Sequence, residues 1–146
     1  MKRTLLRIVL ILVFFAVSLG VLYRVGDAIN SDAQIYHMMW GLTLPADVRE
    51  EYSLATPASF HGDGIRYTVY ACGELPSASD AAFSSSPDGE LEERVLDLLK
   101  TLQVPDKHKP NFYPSYEWGV LQKGENQLYL IYNPVLEQLY CVQYTQ

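Results

Sequence analysis

Histidine and cysteine, the residues behind most metal sites and thiol enzymes, are scarce here: the 146-residue chain has three of the first and two of the second. No two histidines stand at ligand spacing on one element, so a metal set would have to gather His37, His61 and His108 from three distant segments. Serines are plentiful at Ser77, Ser79 and Ser84 to Ser86, but none lies in a G-x-S-x-G elbow or an S-x-x-K pair. Glycine-rich phosphate cradles are missing, as is any basic patch with interleaved aromatics. These absences leave no catalytic residue to assign, no cofactor and no nucleic-acid partner.

What is abundant is apolar sequence near one end. Thr4 to Tyr23 read TLLRIVLILVFFAVSLGVLY behind Met1-Lys2-Arg3. Leu5 to Val25 is 21 residues, which at about 1.5 Å per residue matches the roughly 30 Å hydrocarbon core of a bilayer. Arg7 lies near the edge of that run, where its aliphatic stem lets the guanidinium reach the headgroups. Lys2, Arg3 and Arg7 stand at the front of the run, only Arg24 closely follows it, and the next cation is Arg49. That bias places the N-terminus in the cytoplasm. The expectation is a single-pass cell-membrane protein, with residues 1–26 as anchor and residues 27–146 as one extracytoplasmic domain. The alternative is secretion after signal cleavage, since Ala16-Val17-Ser18 and Ser18-Leu19-Gly20 offer small residues for a cut. Apolar character continuing through Val21, Leu22 and Tyr23 favours retention.

All 17 acidic residues follow Gly26, and four of the 11 Lys and Arg precede it, so the exported part carries seven cations against 17 anions, a formal charge of −10. Such a surface stays dispersed and repels nucleic acid and anionic lipid; a basic peptide or a metal cation is the sharper alternative. Ten of the 11 tyrosines lie there too, suited to strands whose rings pack while their hydroxyls find water or a partner. Cys72 and Cys141 are expected to form a disulfide, closing a loop of about 70 residues and contributing on the order of 4 kcal/mol in the chain-entropy model. The alternative is two separate buried thiols.

Along the exported part, Ile29, Ala33, Tyr36 and Trp40 recur on one helical stripe that Gly41 ends. Trp40 and the two methionines before it either cover the sheet, the favoured reading, or rest at the membrane interface. Tyr52 to Phe60 and Ile65 to Cys72 read as strands joined by a tight turn at His61-Gly62-Asp63-Gly64, where Asp-Gly supplies positive φ. In the second run Ile65, Tyr67, Val69 and Ala71 point one way and Arg66, Thr68, Tyr70 and Cys72 the other, so both faces are partly covered. Glu74 to Gly89 has no periodicity and reads as a surface loop. Leu91, Val95, Leu98, Leu99 and Leu102 form the stripe of a second helix that Val104-Pro105 stops. Strand signals return at Tyr116 to Leu121, Gln127 to Tyr132 and Leu139 to Tyr144. The resulting class is α+β, in the order α-β-β-α-β-β-β, with an antiparallel sheet of about five strands and its helices on one face.

Three groups of residues are candidates for function. Phe112-Tyr113-Pro114-Ser115-Tyr116-Glu117-Trp118 is denser in aromatics than a loop requires, and Tyr113, Tyr116 and Trp118 form a candidate binding surface for a peptide or glycan unless they cap the core. His61 and Asp63 are a candidate metal or proton-transfer pair, although turn geometry accounts for the motif better. The acids Glu90, Glu92, Glu93 and Asp97 resemble glycosidase carboxylates in number only and fit the solvent face of a helix. The anchor together with Tyr52 to Tyr67, and Phe60-His61-Gly62-Asp63-Gly64 at its turn, resembles the small membrane-anchored envelope proteins of Gram-positive bacteria. That resemblance implies no activity, substrate or catalytic residue. The reading favoured is a non-enzymatic, membrane-tethered module for an envelope protein or peptide partner. The alternatives are a small envelope hydrolase or metal-dependent enzyme centred on His61 and Asp63, and an accessory subunit of a membrane complex.

Overall fold

The alternation of the strands and the leucine stripe of the second helix carry through into the structure, a computed structural model that describes residues 11–22, 31–57, 63–78 and 81–146. The chain divides into two compact units, Met1–Ile35 and Tyr36–Gln146. In the first, residues 11–22 are helical (α1) and carry no charged side chain. Among the described residues no helix is long and apolar enough to cross a membrane. The 12 residues of α1 amount to about 18 Å, and residues 5–10 and 23–25 of the expected span lie outside the described residues. Helix α2, Asp32–Trp40, ends where Gly41 takes φ +67 and returns its N–H to the His37 carbonyl at 2.9 Å. Ile29, the first residue of the expected stripe, lies outside the described residues.

The second unit is built on a five-stranded antiparallel sheet of β2 (Arg49–Ala55), β3 (Gly64–Ala71), β5 (Glu117–Lys123), β6 (Asn126–Asn133) and β7 (Gln138–Thr145), in the spatial order β2-β3-β7-β6-β5. Strand β7 lies between β3 and β6, so the last strand joins the early hairpin to the late one: Tyr67 pairs with Val142, and Val142 with Tyr129. A two-stranded sheet of β1 (Leu42–Thr43) and β4 (Ser77–Ala78) adds structure where the sequence reads as loop. Helix α3, Gly89–Thr101, starts at Asp88, whose carboxylate accepts from the Glu90 and Leu91 N–H groups at 3.0 Å. It stops with Gln103 at φ 60 and the Val104 N–H bonded to the Leu99 carbonyl, a Schellman ending one residue before Pro105.

Two expectations about the sheet are corrected. Its helices do not share a face. Leu91, Val95, Leu98 and Leu99 of α3 pack on Tyr67, Val69, Tyr129, Ile131, Tyr140 and Val142. On the other face the Tyr36 hydroxyl meets Thr68 Oγ1 at 3.0 Å, and Trp40 Nε1 donates to Gln143 Oε1 at 3.1 Å. The reason is that β6 and β7 are apolar on both sides: Leu128, Leu130, Leu139 and Cys141, which alternate with the α3-facing residues, are fully buried and need their own cover. Trp40 is therefore a sheet-covering residue. The hairpin turn is also displaced. Ala55 pairs with Arg66 and Gly64 already belongs to β3, so the connection is longer than a tight Asp-Gly turn, and residues 58–62 within it lie outside the described residues. Gly64 is needed for close approach instead: a Cβ there would meet Thr56 Oγ1 at 2.1 Å, the oxygen that accepts the Ile65 N–H.

Candidate functional site

Antiparallel pairing brings the starts of β2, β5 and β7 and the ends of β3 and β6 to one end of the sheet. In the residues gathered there, 47–51, 71–74, 117 and 133–138, the sequence places Asp47, Glu50, Glu51, Glu74, Glu117 and Glu137 against one cation, Arg49. A depression of about 450 Å³ between β2 and the turn preceding β7 is lined by Asp47, Arg49, Glu51, Cys72, Leu136 and Glu137, among others. Glu51 takes a hydrogen bond from Gln138 Nε2 at 2.8 Å and pairs with Arg49 at 3.4 Å. Gln138 in turn accepts from the Tyr140 hydroxyl at 2.6 Å, so the rim is tied to the core.

One buried side chain holds this end together. Asn133 Oδ1 accepts from the Val135 and Leu136 N–H groups, both at 3.0 Å, and its Nδ2 donates to the Asn111 and Tyr113 carbonyls at 2.8 and 3.3 Å. The amide thereby fixes the β6–β7 turn against the 111–113 segment. The segments it fixes carry the three most exposed large apolar side chains of this end, Tyr113 at 80 %, Val135 at 63 % and Leu136 at 45 %. Glu137 completes the turn at φ 51, a left-handed conformation in which a non-glycine residue costs roughly 1–2 kcal/mol.

The acids around the rim leave an electrostatic mark on two buried groups. Burial pushes the Tyr132 phenol up, and Cys72, Glu137, Glu117 and Glu74 push it further. Burial likewise raises the Cys72 thiol, with Asp47 and Glu74 adding to the rise and the hydrogen bond to the Glu74 carbonyl opposing it. A thiol so raised stays protonated at neutral pH and is a poor nucleophile.

Cys72 and Cys141 are not bridged, which corrects the expected disulfide. Cys141 faces Thr68, whereas the Cys72 N–H bonds to the carbonyl of Glu137, four residues before Cys141 and just ahead of β7. Four residues of strand separate the two by about 13 Å, well beyond the roughly 7 Å limit between bridged Cα atoms. The aromatic trio is also split. Tyr116 is 4 % exposed and acts as a core pin: its hydroxyl accepts from the Asp88 N–H at 2.8 Å and donates to Glu92 at 2.7 Å, seating the start of α3. Trp118 is half-buried against the core and donates to the Ser86 carbonyl at 2.8 Å. Tyr113 is the exposed member of the trio, and its backbone is tied through Asn133 to the Val135-Leu136 turn. Of the candidate metal pair, Asp63 is exposed and His61 lies outside the described residues. Among the described residues no three His, Cys, Asp or Glu side chains converge on a metal position.

The sequence signal for the site was two consecutive aliphatics, Val135-Leu136, between an Asn-Pro start and a Glu, in a turn where polar residues usually stand. This end of the sheet thus carries both exposed apolar side chains and an excess of carboxylates. Comparison with protein families, curated proteins and solved structures finds no match to this chain.

Proposed function

We propose that the protein is a membrane-tethered extracytoplasmic interaction module, with an N-terminal single-pass anchor, a cytoplasmic N-terminus and an acidic binding domain beyond it. The observation that carries the reading is the surface of α1. Nine of its large apolar side chains, from Ile11 to Leu22, are 55–71 % exposed, and they lie all round the helix. Left in water, they would forgo up to about 14–27 kcal/mol of transfer free energy at roughly 1.5–3 kcal/mol per side chain. Lipid removes that cost, and a helix apolar on every side is what a bilayer selects. The cations before the run and the −10 charge after it orient such a helix with its acidic domain outside.

The test is protease added to intact cells expressing the full chain with a C-terminal epitope. Loss of the epitope while a cytoplasmic control protein survives is the expected result. An epitope that is digested only after the cells are opened refutes the export reading. The mass of the cell-associated chain separates a retained anchor from a cleaved one.

A further inference from the structure

The acidic end of the sheet also specifies what it binds. We infer that Leu136, which shares a depression with Asp47, Glu51 and Glu137, docks a cationic peptide segment that carries an apolar side chain, together with the adjoining Val135 and with Tyr113, whose backbone Asn133 ties to the same turn. The inference deepens the interaction-module reading and rests on it. Three observations converge. The apolar groups stand out from the surface at 80 %, 63 % and 45 % exposure, yet they are held in place: the four hydrogen bonds of buried Asn133 fix the backbone on both sides of them. A partner meeting a fixed apolar knob loses little conformational entropy in burying it. Over the strand ends carboxylates outnumber cations six to one, three of them lining the depression beside Leu136, and Arg49 there is already engaged by Glu51. A surface of that sign repels anionic lipid and nucleic acid and steers a basic partner toward it. A second copy of this chain is a poor occupant, since its exported part carries seven cations to 17 anions and would present like charge.

Three hexapeptides test this against the full chain in zwitterionic detergent micelles, followed by amide resonances and by calorimetry. One has lysines flanking a Leu-Trp pair, one has the pair replaced by serines, and one has the lysines replaced by glutamates. The expected result is that the first binds with a Kd under about 1 mM and weakens as salt is raised. It should shift the resonances of residues 47–51, 113 and 134–137. The serine and glutamate peptides should bind about tenfold more weakly or not at all. Replacing the exposed pair by V135S and L136S should reduce affinity about fivefold or more. The pair E51Q and E137Q should reduce both the affinity and its salt dependence. E93Q and D97Q on the outer face of α3 should leave binding unchanged. Unaltered melting temperatures certify that these surface variants fold.

Absence of binding by the lysine peptide at millimolar concentration overturns the inference. So does binding that survives V135S and L136S, or binding lost through E93Q and D97Q. Self-association through the same residues would assign the surface to a second copy and overturn it as well. These experiments read recognition in detergent, whereas protease access to intact cells reads topology, so failure of one is distinguishable from failure of the other.

Discussion

Removing the Asn133 side chain strips four hydrogen bonds from a fully buried position and unpins two loops at once. Asn133→Ala should therefore cost about 4 kcal/mol, measured as a drop in urea-unfolding free energy, because each of the four bonds is worth about 1 kcal/mol. The same change should loosen the 111–113 and 134–137 segments in hydrogen exchange while leaving α3 protected. Nothing local in the sequence marks this residue beyond an Asn-Pro turn, since its partners lie 20 and 22 residues upstream. The cysteines give the opposite lesson. Their number and expected compartment favour a bridge, and the register of β3 against β7 forbids it. The melting temperature should be indifferent to reductant, and both thiols should titrate on unfolding without it. A reductant-dependent shift of several degrees would show that a bridge does form.

At the scale of single elements, α3 shows how far local chemistry reaches. Its leucine stripe, acidic first turn and Pro105 stop are all readable, and the helix observed, Gly89–Thr101, matches them. Asp88→Ala removes the oxygen that accepts from Glu90 and Leu91 and should cost about 1 kcal/mol. Gln103→Gly should raise stability by roughly 0.5–1 kcal/mol, because Gln103 holds the left-handed position that glycine occupies without a Cβ penalty. Chemical denaturation of the two variants reads both signs, and a destabilised Gln103→Gly would refute the Schellman ending as a source of strain. The strands β3, β5, β6 and β7 were legible from alternating or apolar runs. At the hairpin, Asp63-Gly64 carries a strong local turn signal that the pairing of Ala55 with Arg66 overrides. The pair β1 and β4 was invisible, since two-residue strands have no periodicity to detect.

For the molecule as a whole, buried phenols set an alkaline limit. Tyr67, Tyr116, Tyr132 and Tyr140 all have phenols raised above 10.0, in each case first by burial, and the Cys72 thiol is raised above 9.0 by burial first. Every one of these groups holds its proton more tightly in the folded chain. Their contribution is intact below the unfolded values and is lost as the pH climbs from about 9 toward the higher folded values. Urea midpoints should therefore be level from about pH 7 to 9 and fall steeply above 10. A midpoint unchanged at pH 11 would show that these hydroxyls are not buried as described.

The sequence by itself determined the α+β class, the position of α3, four strands of the main sheet, the acidic charge of residues 27–146 and the apolar run, because each is written in neighbours a few residues apart. Tertiary structure decided that α3 and the Tyr36–Trp40 stretch cover opposite faces, that β7 lies in the middle of the sheet, that the two cysteines stand apart and that Asn133 ties the 111–113 segment to the Val135-Leu136 turn. All four depend on which strand pairs with which and in what register. That choice is made by burying both faces of β6 and β7 at once, a requirement that no short stretch of chain expresses.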